Sequence, residues 1–437
     1  MKRVLFSLLA MFAVGSLWAQ STVTETDLSD FSDAFYNPAT EVVPGKEALL
    51  PIYMKSSAAL TGCQVSIVLP DGVEFVEVGE LNANRYVKNG ILEGNVKDGV
   101  LTIFGAVVED HGFYAGDDLL GYIKIKVSEN KDTGEYPVVY KNATMSGRRN
   151  VTDGVDEDNK PIAIVEKLDE VAISQEVTSK IIVTDRLTLD ENATEPFAAY
   201  ESINVKLKRT FQAGKWSTFV LPFTIPGESN GSLTKIKEIL GNDVEIVKWS
   251  GWTLEGYDEA TNSADRIELQ FKSLTPAQKK KGIEAGNVYL VKTSKSDIEI
   301  SMDNVKLVTD VVPTSIEEEN VSGETGTFTG TFVKMSLPEE VFFISNDLFY
   351  RSVGKTTIKG FRAWFDLNPI KLSEEALSKM SINVDGETTA IEGINTNQRV
   401  VEGVYDLQGR KVMVKDGDIN NLQRGLYIIN GKKVAIK

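Results

Sequence analysis

Alternating hydrophobic and polar residues dominate the chain from about residue 40 to residue 166. In Ile123-Lys-Ile125-Lys-Val127 the lysines fall on one face and the aliphatic residues on the other, because successive side chains of a strand point to opposite faces. Similar short runs, separated by Gly, Asp and Asn turns, occupy residues 47–54, 63–69, 73–78, 100–108, 122–127 and 136–141. The pattern predicts a two-layer antiparallel β-sandwich over residues 20–170, followed by a linker at 171–185.

Residues 186–385 predict a second, mainly β module with a few short helices. One helix is predicted over 232–240, with Ser232 as N-cap and an apolar stripe that ends before Gly241. A second is predicted over 275–281, with Thr275 as N-cap and Gly282 after its end.

The last fifty residues change character. A polar linker is predicted at 386–400, and residues 401–437 contain two alternating runs joined by Asn430-Gly431, a strong hairpin signal. The predicted fold class is therefore all-β, with tandem β-sandwich domains and a small C-terminal β domain.

The first nineteen residues have the three parts of a signal peptide. Lys2 and Arg3 precede an apolar run at 4–14, and small residues lead to a cleavage point after Ala19. We therefore expect an exported mature chain that begins at Gln20 and has no transmembrane segment after cleavage. The alternative, a buried N-terminal helix, leaves the two basic residues unexplained.

Length and charge narrow the functional classes. A chain of 437 residues is long enough for two or three domains, and 42% hydrophobic with 25% charged residues is ordinary globular composition. The net charge of −16 argues against binding to nucleic acid or to anionic membranes.

The chain contains one Cys and one His, so no cofactor and no metal site built on Cys and His are expected. Cys63 opens an alternating stretch and is predicted to be a buried thiol, with an intermolecular disulfide as the alternative.

Trp249 and Trp252 flank a Ser-Gly turn and are the candidate ligand-binding residues. Flat rings beside a turn can stack on the apolar faces of sugars. The alternative, which we favour, is that the two indoles cover the edge of a sandwich. Trp216 and Trp364 are predicted to be core or rim residues, and Arg362 to stack on neighbouring aromatic rings.

The acidic stretch 151–160 is predicted to be a solvated loop near the end of the first sandwich. A calcium site formed by Asp153, Asp156 and Asp158 is the weaker alternative, because the spacing is not that of an EF-hand.

Signs of catalysis are few. Gly227-Glu-Ser229-Asn-Gly231 spells the G-x-S-x-G motif of hydrolases, but that arrangement needs a His later in the chain, and His111 comes earlier. Two carboxylates suffice for glycoside hydrolysis, and 63 acidic residues leave that possibility open. We expect no enzyme activity.

Three stretches in the first module, 43–51, 60–67 and 116–123, resemble cohesin-type or related carbohydrate-binding sandwiches. In the second module, residues 211–223, 283–292 and 342–365 resemble a module that recurs in proteins exported by type IX secretion. The resemblances imply sandwiches that display binding loops.

The tail closely resembles a type IX secretion C-terminal sorting domain of type A. The resemblance rests on Tyr405-Asp-Leu-Gln-Gly409-Arg-Lys-Val, on Gly425-Leu-Tyr427-Ile, on Gly431 and on the basic finish. Residues 401–437 carry five Lys and two Arg against four acids, a charge of +3, whereas residues 20–400 carry −21. The resemblance implies recognition by secretion machinery; a purely structural terminal hairpin is the alternative.

These observations predict a secreted or outer-membrane surface protein of a Gram-negative bacterium that binds a glycan or a protein partner non-covalently. The alternatives are a secreted polysaccharide-active enzyme or its accessory subunit, and a structural surface spacer.

Overall fold

A computed structural model describes residues 22–86, 90–107, 112–155, 161–256, 258, 266–316, 325–346, 348–367, 380–389, 404–405, 411–412, 425–429 and 432–436. The chain divides into two compact units, with the boundary between Leu187 and Thr188. Almost all regular structure in the described residues is β, as the sequence predicted. No helix among them is long and apolar enough to cross a membrane.

The first unit is built from strands that alternate between buried and exposed side chains. They are β1 (Ala34–Tyr36), β2 (Thr40–Val42), β3 (Glu47–Ser56), β4 (Gly62–Val68), β5 (Val73–Leu81), β6 (Gly90–Lys97), β7 (Val100–Val107), β8 (Gly116–Val127), β9 (Gly134–Val155), β10 (Pro161–Ile173) and β11 (Val177–Val183). All six strand runs that the sequence predicted coincide with or overlap one of these strands.

Two sheets form this unit. One has the order β1-β3-β8-β5, and the other has the order β2-β11-β9-β4-β7-β6, with β10 also paired to β9. The inward positions of β4 and β8 are apolar, and Val65, Ile67, Ile123 and Ile125 are completely buried in one shared core. The sandwich prediction is therefore confirmed for this unit.

The predicted linker at 171–185 is wrong, because β11 lies inside it. β11 pairs antiparallel with β9 and parallel with β2, and its alternate residues Val177, Ser179, Ile181 and Val183 are buried. Ser179 interrupts the apolar alternation, and its hydroxyl accepts a hydrogen bond from the Asn37 backbone at 3.2 Å. A polar residue at an inward position hid this strand from the sequence pattern.

The second unit contains four further sheets in its main body. Its strands are β12 (Leu187–Asp190), β13 (Tyr200–Thr210), β14 (Lys215–Val220), β15 (Glu245–Glu255), β16 (Arg266–Ser273), β17 (Val288–Thr293), β18 (Asp297–Leu307), β19 (Thr314–Ile316), β20 (Gly326–Thr331), β21 (Met335–Ser336), β22 (Glu339–Ser345), β23 (Leu348–Val353), β24 (Thr357–Ile358), β25 (Arg362–Leu367), β26 (Met380–Val384) and β27 (Glu387–Thr389). The sheet orders are β12-β13-β18, β14-β17-β15-β16-β26-β27, β19-β20-β25-β22-β23 and β21-β24. β27 begins inside the predicted 386–400 linker, so the module extends to Thr389.

Aromatic rings join the six-stranded sheet to the five-stranded sheet. Phe328 on β20 and Phe365 on β25 stack with centroids 4.2 Å apart, and Phe271 on β16 meets both rings edge-on. All three side chains are at most 1% exposed. Their packing gives this unit a two-layer core, as in a sandwich.

Two short helices connect strands of this unit. Helix α2 (Pro276–Lys281) begins as predicted: the Thr275 hydroxyl accepts a hydrogen bond from the Gln278 N–H, and the Gln278 side chain reciprocates. Helix α1 (Thr234–Leu240) begins later than predicted, because Leu233 is its N-cap and has no capping side chain. Ser232 instead lies 2.7 Å from the Thr234 hydroxyl, so its assignment as N-cap is wrong.

In the tail, four short strands pair with one another: β28 (Val404–Tyr405), β29 (Lys411–Val412), β30 (Gly425–Ile429) and β31 (Lys432–Ile436). Their order is β29-β28-β30-β31. Ile429 pairs with Lys432, which is the register that a two-residue turn at 430–431 requires. The hairpin predicted around Asn430-Gly431 is therefore present in the strands on either side, while these two residues lie outside the described residues.

Candidate binding surface

The outer face of the longer sheet in the first unit carries an exposed aromatic residue. Strand pairing places Glu93, Phe104, Gln64 and Thr144 in one row across β6, β7, β4 and β9. Phe104 is 41% exposed, although its neighbour Ile103 is buried in the core. A large apolar ring thus stands in the middle of an otherwise polar row.

Ile91 lies next to this ring on the same face. It pairs with Ala106, two residues from Phe104, and is also 41% exposed. Side chains in this diagonal relation lie about 7–8 Å apart, within reach of an aromatic ring. We call Ile91, Phe104 and Ala106, with the flanking Glu93 and Gln64, the β6–β7 patch.

Ile91 and Phe104 are two of the exposed large hydrophobic residues of the protein, and they share one face of the β6–β7 pair. Among the described residues, eight large hydrophobic side chains are exposed, and five of them lie between residues 76 and 114. Those five are Val76, Ile91, Val96, Phe104 and Tyr114. Val76 lies on β5 in the other sheet, and Val96 has the opposite phase on β6 from Ile91. Scattered single exposed residues need no explanation, so the neighbouring pair Ile91 and Phe104 is the feature that does.

A buried arginine holds the neighbouring turn in place. Arg85 ends a 3₁₀ turn (Ala83–Arg85) between β5 and β6 and is 1% exposed. Its Nη2 donates to the Met54 carbonyl at 2.8 Å, and its own carbonyl accepts from the N–H of Tyr114 at 2.8 Å. Burial lowers the pKa of Arg85, opposed by the charge of Asp118, whose carboxylate lies 3.7 Å from Nη1. This residue therefore fixes the backbone that carries the exposed Tyr114 ring.

Cys63 lies on the opposite, inward face of the same sheet and is 4% exposed. Burial raises the pKa of its thiol to about 12, so the group is a neutral thiol at physiological pH. The predicted buried thiol is confirmed.

In the second unit, Glu191 forms a buried charge cluster. Its Oε1 accepts from Lys359 Nζ at 2.7 Å and from the Thr210 hydroxyl at 2.6 Å. Its Oε2 accepts from Arg362 Nη2 at 2.9 Å and lies 3.6 Å from Arg209 Nη1. Burial alone raises the pKa of Glu191, but the hydrogen bonds from Lys359 and Thr210 and the charge of Arg362 outweigh it and lower the pKa to about 2.

Arg209 is the most buried cation of this cluster. Its residue is 2% exposed, its Nη2 donates to the Thr218 carbonyl, and its guanidinium lies 4.5 Å from the centroid of the Phe211 ring. Burial and the neighbouring charge of Arg362 lower the pKa of Arg209. The cluster thus links Glu191, directly after β12, to Thr210 on β13 and Arg362 on β25. The prediction that Arg362 stacks on aromatic rings is corrected to this ion pair.

Neither indole of the Trp249–Trp252 pair forms an open platform. Trp249 is 4% exposed and meets Phe328 and Phe365 edge-on, and Trp252 is 2% exposed with its Nε1 donating to the Thr325 carbonyl at 3.1 Å. The rings are buried because they fill the space between two sheets. Their assignment as ligand-binding residues is corrected to the packed alternative, and Trp216 and Trp364 are buried as well.

The prediction that the whole acidic stretch 151–160 is a loop is wrong for residues 151–155, which belong to β9 and pair with β10. Asp153 lies two residues before the end of β9. Asp156 and Asp158 lie outside the described residues. Val155 pairs with Pro161, so residues 156–160 connect two antiparallel strands. No group of three or more His, Cys, Asp or Glu side chains suited to a metal ion occurs in the part of the chain that the structure describes.

The sorting-tail residues are only partly described. Tyr405 lies on β28, and Gly425 and Tyr427 lie on β30. Gly409 and Gly431 are outside the described residues, as is His111.

The predicted site residues missed the β6–β7 patch, yet the sequence contains its signal. In Leu101-Thr-Ile103-Phe104, the odd positions face the core and Thr102 faces outward. Phe104 shares the outward phase of Thr102, so it breaks the polar side of the alternation. Glu191 gave no such signal, because Asp190-Glu191-Asn192 is an ordinary turn sequence.

Only the comparison with solved structures found proteins similar to this chain. No protein-family model matches it, and no curated protein is significantly similar. Among solved structures, a non-cellulosomal cohesin from Archaeoglobus fulgidus is 12% identical with a TM-score of 0.24, over 35% of this chain and 91% of that chain. The seventh ScaB type I cohesin from Pseudobacteroides cellulosolvens is 17% identical with a TM-score of 0.25, over 34% and 90%.

The sixth cohesin of scaffoldin B from Acetivibrio cellulolyticus, solved in complex with a Cel5 dockerin, is 12% identical with a TM-score of 0.24, over 35% and 99%. Similarity at this level carries no functional conclusion, so function is argued below from this chain's own residues.

Proposed function

We propose that this chain is a non-catalytic binding protein and that its first sandwich recognises a protein partner through the β6–β7 patch. The observation that carries the proposal is the exposure of Phe104 and Ile91 side by side on the outer face of a sheet. A phenylalanine exposed at 41% loses part of the hydrophobic stabilisation that burial would give it, and a partner that covers the ring restores that stabilisation.

The surroundings of the pair suit a polypeptide. Gln64, Glu93 and Thr144 supply amide, carboxylate and hydroxyl groups around an apolar centre, which is the arrangement of a protein interface with a polar rim. The face is a continuous sheet surface, and a large partner can cover it. Aromatic and aliphatic anchors at the centre of such a surface supply most of the binding energy.

Export is the second part of the proposal. The signal-peptide pattern at 1–19 and the resemblance of residues 401–437 to a type IX sorting domain support delivery to the cell surface or the medium. The tail strands pair among themselves in the described residues, which supports a domain that is recognised apart from its cargo. A surface or extracellular protein is therefore the proposed partner.

The test uses the mature chain, residues 20–437, as bait against the native host's envelope and medium proteins, followed by titration of each purified captured protein. We expect the double variant Ile91→Ala with Phe104→Ala to weaken binding at least about tenfold, the effect of losing roughly 1.4 kcal/mol at an interface centre. Val353→Ala is the matched control, since Val353 is 65% exposed but lies in the second unit.

Circular dichroism checks that both variants remain folded. The proposal is overturned if the double variant binds as tightly as the wild type, or if no purified protein shows saturable binding.

A further inference from the structure

A cavity of about 330 Å³ in the second unit combines aromatic, hydroxyl and carboxylate groups. Its aromatic side is formed by Phe197 and Phe332, whose ring centroids lie 5.9 Å apart. Phe332 is 6% exposed and forms the packed base, whereas Phe197 is half-buried. The volume is at the lower end of the range of about 300–1,000 Å³ for small-molecule sites.

The polar side of the cavity is formed by Thr309, Asp310 and Thr329. Asp310 is exposed, and no hydrogen bond or ion pair engages its side chain within the described part of the chain. An ionised carboxylate only accepts hydrogen bonds, and its two oxygens can accept from two adjacent hydroxyl groups of a ligand.

Backbone hydrogen bonds hold the walls of this cavity. The N–H of Lys334 donates to the Ala193 carbonyl at 2.7 Å, which fixes the segment that carries Phe197. The N–H of Val308 donates to the Pro222 carbonyl at 2.8 Å, and that of Val312 donates to the Gly286 carbonyl at 2.9 Å. These bonds enclose the segment with Asp310 on both sides, so the cavity is formed before any ligand binds and less conformational entropy is lost on binding.

We infer that this cavity binds a neutral sugar residue at the end or in the middle of a glycan. A sugar ring has apolar C–H faces that suit the accessible Phe197 ring and hydroxyl groups that suit Asp310 and the two threonines. The inference is independent of the β6–β7 patch, which lies in the other unit. The proposed sugar site consists of residues other than the buried Trp249 and Trp252.

A second cavity in the same unit has a lining that is less suited to a sugar. It has a similar volume of about 320 Å³, and its lining includes Glu191, Arg209 and Asp297. It has no aromatic ring, and the carboxylate of Glu191 is already occupied by its own cations. Asp297 at this second cavity therefore offers a matched control.

The experiment titrates the mature chain with hexasaccharides of β-glucose, β-mannose, β-xylose, β-galactose and N-acetylglucosamine by isothermal calorimetry. We expect saturable binding of at least one, insensitive to salt because the ligand is uncharged. Phe197→Ala and, separately, Asp310→Asn are each expected to weaken that binding at least about tenfold. Phe104→Ala and Asp297→Asn are expected to leave it unchanged.

Asp310→Asn changes an exposed side chain, so it keeps the test valid if Phe197→Ala disturbs folding. The inference is overturned if none of the five sugars shows saturable binding, or if both cavity variants bind with the same affinity as the wild type.

An octalysine peptide serves as a further probe. If it binds more tightly than every sugar, and both high salt and Asp310→Asn abolish its binding, the cavity is a site for basic peptides and the inference is wrong. The Phe104→Ala variant is expected to lose binding to a protein partner and to keep sugar binding. This difference separates the sugar site from the proposed function of the β6–β7 patch.

Discussion

Glu191 shows how one side chain links distant segments of the second unit. Its carboxylate accepts hydrogen bonds from residues 19, 168 and 171 positions further along the chain. Three cations surround one anion, so the carboxylate supplies the main compensation for the buried Arg209. Removal of one partner from a buried ion pair is costly because a charge is left without compensation.

We expect Glu191→Gln to lower the free energy of unfolding of the second unit by about 3–5 kcal/mol, since the amide keeps the shape of the side chain but not its charge. Glu201→Gln is the control: its side chain is 86% exposed in its ion pair with Lys306, and a change within about 0.5 kcal/mol is expected. Urea unfolding followed by tryptophan fluorescence measures the effect, because all four tryptophans after residue 19 lie between residues 216 and 364. Equal stability of the two variants contradicts the prediction.

The lowered pKa of Glu191 also predicts a pH dependence. A carboxyl whose folded-state pKa is about 2, against an ordinary value of 4.5, stabilises the fold fully above pH 4.5. That stabilisation, about 3 kcal/mol, is lost as the pH falls from about 4.5 to about 2. Glu191→Gln lacks the titrating group, so the difference in stability between wild type and variant is expected to shrink over this interval. A difference that stays constant with pH contradicts the assignment.

At the scale of elements, the alternation of hydrophobic residues and the capping residues predicted those strands and helix ends that depend on residues close together in the sequence. The strands around Ile67 and Ile125 and helix α2 follow from side-chain period and from the Thr275 capping box. The strand β11 was missed because its pairing with β2 and β9 depends on residues far away in the sequence and because buried Ser179 is polar. The β6–β7 patch was readable from the phase of Phe104, whereas the partners of Glu191 depend on the tertiary fold.

The two helix starts provide a direct comparison. Thr275→Ala removes a capping hydroxyl and is expected to lower the free energy of unfolding by about 1 kcal/mol. Ser232→Ala removes a hydroxyl that caps no helix, and a change within about 0.5 kcal/mol is expected. Urea unfolding by tryptophan fluorescence distinguishes them; a loss for Ser232→Ala as large as that for Thr275→Ala would show that Ser232 does contribute to the start of α1.

At the scale of the whole molecule, charge separates the tail from the rest. Residues 401–437 carry +3 while residues 20–400 carry −21, and residues 390–400 lie between the end of β27 and the tail in the sequence. The four tail strands form a sheet of their own in the described residues. A segment with its own sheet and its own charge is suited to recognition by secretion machinery, and its removal is expected to change location without changing the fold of the other domains.

Deletion of residues 401–437 in the native host is therefore expected to leave a folded protein in the periplasm. The same residues, fused to a periplasmic reporter, are expected to carry the reporter to the surface or the medium. Cell fractionation with protease treatment of whole cells measures both outcomes, and the reporter fused to residues 386–400 alone is the control. If the tail instead completes the second unit, its deletion exposes sheet edges and causes aggregation. In that case the fused reporter stays in the periplasm, which contradicts the sorting role because a sorting signal must act on a foreign cargo.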